Sequence, residues 1–149
     1  MCGLNIYQLT LTKRKEVSVK YKKKKVIYIQ ARLHAAETHG SLIMRNIIRE
    51  LTQNQDRYDQ VLHSHIIKLV PMVNPDGVVI GNSRSSLAGV DLNRRWSNPS
   101  SIMHPEVYFL KSTMAKTGQQ SGGIIMFCDL HGHNKQMDCF IYGCNKAPN

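Results

Sequence analysis

The sequence predicts an α/β fold, a mixed and mostly parallel sheet with helices on both faces. Three observations carry this. Short apolar runs rich in β-branched residues (Val26 to Ala31, Ile66 to Val73, Ile124 to Leu130) alternate with stretches whose apolar residues recur every three or four positions, the pattern of a sheet covered by helices. Hydrophobic residues make up 42% and charged residues 20% of 149, which suits one folded domain with a single core and excludes wholesale disorder. No apolar run approaches the roughly 18 residues that a membrane helix needs.

Element by element, Val26 to Ala31 (VIYIQA) reads as a buried strand between lysines and a polar loop, His34 to Gly40. Ser41 is placed to cap a helix that buries Leu42, Ile43, Ile47, Ile48 and Leu51 on one face. A shorter helical stretch, Asp56 to Ser64, leads to a second strand over Ile66 to Val73. Its internal Pro71 cannot donate to a ladder and predicts an edge or a bulge. Asn74-Pro75-Asp76-Gly77 then turns the chain, and Val78 to Asn98 has no period and reads as a long loop. His104 to Lys116 forms a helix with Pro105 in its first turn. Ile124 to Leu130 is the third strand, and Cys139 to Tyr142 is a candidate fourth.

The formal charge of +10 and pI near 9.7 favour an acidic partner without choosing among polypeptide, nucleic acid and anionic membrane. Much of the excess lies in Lys13, Arg14, Lys15, Lys20 and Lys22 to Lys25, which read as a solvated hairpin or loop. Met1 to Lys15 lacks the features of a secretory signal. Cys2, Cys128, Cys139 and Cys144 are too few for a disulfide framework and contain no C-x-x-C pair, so a reduced, cytoplasmic setting is expected.

The chemistry gathers at strand ends. His34-x-x-Glu37 follows the first strand, so both side chains can converge at the carboxyl edge of the sheet, where such folds place ligands. Seven histidines and four glutamates would give roughly 0.2 such pairs by chance, so the pair needs corroboration. His131 supplies it. It follows the third strand directly and can bring a third ligand to the same edge, completing a two-histidine, one-carboxylate shell that leaves a position for water. His39, His63, His65 and His104 read as surface or hydrogen-bonded residues, whereas His133 neighbours the shell and could donate a hydrogen bond within it.

Four runs in order, Ala31-Arg32-Leu33-His34-Ala35-Ala36-Glu37-Thr38, Val73 to Gly77, Ser83 to Arg94 and Cys128 to His133, resemble the zinc carboxypeptidases. The resemblance covers nearly the whole chain and is closest to the cytosolic carboxypeptidases that trim glutamates from tubulin. It implies a zinc carboxypeptidase-like sheet, with residues 1–149 forming a partial catalytic domain truncated on its C-terminal side. It further implies one Zn²⁺ on His34, Glu37 and His131, with Asp91 orienting His34 and Asn93 and Arg94 holding the substrate's terminal carboxylate. Arg84 would stabilise the oxyanion. The implied partners are polypeptide C-termini, acidic ones such as tubulin tails, with no membrane; nucleic acid is not favoured.

Two departures accompany this resemblance. Ala35-Ala36 stands where the cytosolic members carry Pro-Gly, which predicts an altered loop with the metal retained. The family's general base is a glutamate on a later strand, and of Glu16, Glu37, Glu50 and Glu106 none occupies a matching context. The competing readings are an aspartoacylase-like zinc amidohydrolase, which Asn74-Pro75-Asp76-Gly77 disfavours, and a catalytically impaired module that binds microtubules or nucleic acid through its lysines.

Overall fold

Two parallel strands ending side by side determine where this chain can do chemistry. The computed structural model describes residues 3–13 and 23–143. Four strands, β1 (Leu9–Leu11), β2 (Lys25–Ala31), β3 (His65–Val70) and β4 (Ile124–Leu130), form one sheet in the order β1-β3-β2-β4. β2 runs parallel to both β3 and β4, and β1 closes the far side antiparallel to β3. The sheet is therefore mixed and mostly parallel, as expected.

Helices cover both faces. On one side α1 (Thr38–Gln53) and α2 (Asp59–Ser64) bury Met44, Leu51 and Leu62 against Ala31, Ile67 and Leu69. On the other, α4 (Pro105–Gln120) packs Val107 and Leu110 onto Tyr28, Leu33, Val70, Val73 and Leu92. Alternation along β2 explains the split, since Tyr28 faces α4 while Ile29 and Ala31 face α1 and α2. No helix among the described residues is long and apolar enough to cross a membrane.

Several local expectations change. α1 starts three residues before Ser41, whose hydroxyl instead accepts a hydrogen bond from Arg32 Nη1 at 2.8 Å. The buried face of α1 also differs from the one anticipated. Gly40 brings the helix against the sheet, where an added Cβ would lie 3.4 Å from Leu130 O and 3.6 Å from Ala31 Cβ. That contact makes Gly40, Met44 and Leu51 the inner line and leaves Leu42 and Ile43 59% and 43% exposed. Ile47 and Ile48 remain partly buried against the same core.

β3 stops at Val70, so Pro71 lies past the ladder, and β3 is an inner strand rather than an edge. Cys139 to Tyr142 is not a strand; the fourth is β1, which sequence reading passed over. α4 continues four residues beyond Lys116. Arg14 to Lys22, which hold half of the basic cluster, lie outside the described residues. Of the rest, Lys13 pairs with Asp59, while the Lys24 ammonium donates to Thr12 Oγ1 at 2.9 Å and Leu62 O at 2.8 Å.

The turn at Asn74-Pro75-Asp76-Gly77 is the start of a short helix, α3 (Pro75–Val79). Asn74 caps it by accepting from Gly77 N at 3.0 Å, and its amide donates to Ser85 O at 3.1 Å. A Cβ on Gly77 would come within 2.7 Å of Ser85 O, so only glycine lets the loop lie this close. We expect Gly77→Ala to destabilise the fold by about 1–3 kcal/mol in denaturant unfolding. An unchanged midpoint would contradict the crowding.

Candidate metal centre

The β2–β4 register pairs Ala31 with Leu130 at the last rung, so His34 and His131 leave adjacent strands at one edge of the sheet. The chain turns sharply after β2 because Arg32 adopts φ +58°, a left-handed conformation uncommon outside glycine. Its buried guanidinium compensates by clipping the turn, donating from Nε and Nη2 to Ala35 O at 3.0 and 2.6 Å. Ala36 N donates to Ser83 O at 2.9 Å, which joins this turn to the loop bearing Arg84. Glu37 then stands at the N-terminal end of α1 without capping it, because its carboxylate is used elsewhere.

That carboxylate bridges the two imidazoles. Oε1 lies 2.9 Å from His34 Nδ1 and Oε2 lies 3.1 Å from His131 Nδ1, with the rings 4.8 Å apart. One ligand atom from each of the three residues falls within 4.8 Å of the others, close enough to surround a single ion. Two imidazoles and a carboxylate are also the donor chemistry of a catalytic zinc shell, so the residues present fit the metal. Among the described residues, Cys128 and Cys139 are free thiols apart from this group.

The outer nitrogens are held as well. His34 Nε2 meets Asp91 Oδ1 at 3.1 Å, and His131 Nε2 meets Asp129 Oδ2 at 2.8 Å. Asp91 is shared more widely, accepting from Asn93 N at 2.9 Å and from Arg84 Nε at 2.8 Å, with Arg94 Nε 4.0 Å away. Asn93 Oδ1 accepts from Trp96 Nε1 at 3.0 Å. Arg84 and Arg94 are otherwise open to solvent, with side chains 51% and 73% exposed.

The other histidines lie outside the triad. His133 Nδ1 accepts from Lys135 N and Gln136 N at 3.2 and 2.8 Å and so shapes its own turn, not the shell. His63, His65 and His104 hydrogen-bond locally. His39 lies over Gly132, where an added Cβ would meet its ring at 2.2 Å. Arg32 and Asp129 went unremarked in the sequence. A readable sign for Asp129 was its place two residues before His131, hence on the same side of an extended chain.

Residues 1–148 of the 149 match the family described as zinc carboxypeptidase. The chain belongs to the zinc carboxypeptidase family. Among curated relatives in that family it is 38% identical over 125 residues to cytosolic carboxypeptidase 1 of Danio rerio, covering 84% of this chain and 11% of that protein. The chain thus spans about a tenth of the length of such relatives. Among solved zinc carboxypeptidase structures, a metallo-carboxypeptidase from Pseudomonas aeruginosa superposes with TM-score 0.75 and 32% identity, over 88% of this chain and 32% of the other. An aspartoacylase family protein from Mesorhizobium loti, covering 86% of this chain and 35% of its own, reaches TM-score 0.61 at 16% identity and shares the fold alone.

Electrostatics give the metal-free site a distinctive pH response. Burial pushes Glu37 up, but hydrogen bonds from His131, His34 and the Gly132 N–H outweigh it and hold the carboxyl well below its ordinary range. Burial likewise raises Asp91, and Arg84, Asn93 N and His34 bring it down. His131 is pushed up to about 9 by the Asp129 and Glu37 carboxylates. A raised histidine contributes stability that is complete below its unfolded value of 6.5 and is lost as pH rises through about 9. We therefore expect the stability difference between metal-free wild type and His131→Gln to shrink from pH 6.5 to 9, measured by urea unfolding. Zinc competes with that same proton, so its apparent affinity should rise over this interval. A pH-independent difference would contradict the ion-pair assignment.

Proposed function

We propose that this chain carries the metal-binding core of a metallocarboxypeptidase, which removes residues from polypeptide C-termini in the cytoplasm. The observation that carries the reading is the convergence of His34, Glu37 and His131 within 4.8 Å at the ends of two parallel strands. These three residues would hold a zinc ion, which would supply Lewis-acid chemistry for lowering the pKa of water towards about 7 and polarising a carbonyl. The relatives' names as cytosolic carboxypeptidases support both the activity and the location.

The chain's own residues divide the remaining tasks. Arg94 presents a solvent-facing guanidinium whose planar fork can receive a free carboxylate through two parallel hydrogen bonds, which makes the reaction an exopeptidase one. Trp96 can only donate, so its bond to Asn93 Oδ1 leaves the Asn93 amide to donate to the same carboxylate. Arg84 is held beside the shell by Asp91 and places positive charge where the carbonyl oxygen becomes negative in the transition state. Asp91 orients His34 and restrains Arg84 at once.

Among the described residues, none of Glu37, Glu50 and Glu106 is placed to transfer the proton. Both Glu37 oxygens are engaged by the histidines, Glu50 bonds Asn54, Arg57 and Tyr58, and Glu106 is buried on α4. General-base catalysis contributes roughly 10²–10⁴-fold, so hydrolysis should be slow unless a group other than these three glutamates takes the proton. The net charge of +10 favours acidic substrates, and we infer glutamate-rich C-terminal tails, such as those of tubulin, as the preferred class.

The test uses the full-length protein with peptides ending in several glutamates. We expect one zinc per chain, lost in His131→Ala. Arg94→Ala should lower kcat/KM by about 10–100-fold, mainly through KM, and amidating the peptide C-terminus should remove the difference between it and wild type. Arg84→Ala should lower kcat by about 10²–10³-fold. Full metal content in His131→Ala, or equal cleavage of the amidated peptide by wild type, would refute the reading.

A further inference from the structure

The two imidazoles of the shell are held in the same way. Each turns Nδ1 toward Glu37 and Nε2 toward an aspartate, His34 toward Asp91 and His131 toward Asp129. Asp91 lies 57 residues from its histidine, on the loop that also carries the arginines. Asp129 lies two residues from His131 on β4, so the strand itself aims one at the other.

Behind Asp129 the sheet supplies a further polar group. Its second oxygen, Oδ1, is buried with no hydrogen-bond partner. Across the ladder its register partner is Gln30 on β2, which is 0% exposed and has neither amide atom hydrogen-bonded. Two rungs earlier, Tyr28 and Phe127 occupy the same strands with ring centroids 6.1 Å apart, so this pair of positions projects to one face. Gln30 can donate and the Asp129 carboxylate only accepts, which makes them complementary neighbours in a place where unpaired polar atoms are rare.

We propose that Asp129 is the positioning residue of His131, presenting Nδ1 to the metal, and that Gln30 steadies Asp129 from the neighbouring strand. The inference rests on the metal-holding role given above to His34, Glu37 and His131. A carboxylate on the outer nitrogen fixes the tautomer and the ring angle and makes the imidazole a better ligand. His131 needs this more than His34 does, because its side chain is 28% exposed against 4%. Gln30 adds a donor without adding charge, so it restrains Asp129 without neutralising it.

The experiment measures zinc affinity in the full-length protein by chelator competition, with the visible spectrum of the cobalt-substituted form as a second readout. Asp129→Asn should bind zinc roughly 10–100-fold more weakly and shift the cobalt spectrum, while the metal-free protein loses no more stability than it does in His131→Gln, which breaks the same ion pair. Asp129→Ser gives the same reading if the asparagine variant does not fold, and Asp129→Glu should recover part of the affinity. Gln30→Met should give a smaller loss that vanishes once Asp129 is asparagine. Wild-type affinity and an unshifted cobalt spectrum in Asp129→Asn overturn the inference, and a silent Gln30→Met removes Gln30 from it. Failure of the wild type to bind zinc would overturn the metal-holding role and this inference together.

Discussion

Glu37 is the residue on which the site depends, because one short side chain reaches imidazoles that enter from two different strands. Its 2.9 and 3.1 Å contacts are possible only if the ends of β2 and β4 are level, which the Ala31–Leu130 rung ensures. Slipping the β2–β4 pairing by one residue would invert the faces of β4 and carry His131 out of reach. The β2–β4 ladder therefore serves the site as well as the sheet, with largely buried β2 as the fixed side and β4, whose Ile125, Met126 and Phe127 are exposed, lined up on it by the pairing.

The same carboxylate explains a local oddity of α1. A glutamate at the head of a helix would ordinarily stabilise free backbone N–H groups, yet Glu37 makes no such bond. Its oxygens are held by His34, His131 and the Gly132 N–H. Arg32 offsets part of this lost cap by binding Ala35 O and Ser41 Oγ, which tie the turn and the first helical turn together. Its left-handed backbone is a local cost that the three hydrogen bonds help to hold in place.

How much of this was legible in the sequence depended on the range of the interactions involved. β4 was readable to the residue because its apolar run is bounded by Gly122-Gly123 and by His131-Gly132. The triad was readable because all three residues lie at or near the ends of such runs. β1 was not, since three residues become a strand only by pairing with β3, some 58 positions away. The inner line of α1 was missed for a related reason: Gly40 sets the helix against Ala31 and Leu130, and periodicity alone ranked Leu42 and Ile43 above Met44. Pro71 was read as an interruption because the strand was drawn three residues too long. Asp129 belongs to the motif run Cys128 to His133, but nothing in that run alone shows that its carboxylate meets His131 Nε2.

The site consists of two halves with different mechanical character, and Asp91 joins them. The ligands stand on strand ends, with His34 buried and both imidazoles braced by aspartates, which suits a shell that must keep one geometry. Arg84 and Arg94 stand on an irregular loop with their charges in water, which suits groups that must meet and release a mobile chain end. Asp91 accepts from His34 on one side and Arg84 on the other, and the Ala36–Ser83 backbone bond runs parallel to that link. A displacement of the loop is thus felt at His34, and the buried half limits how far Arg84 can stray from the histidines. The aspartate that holds the proposed metal ligand also fixes how far Arg84 lies from it.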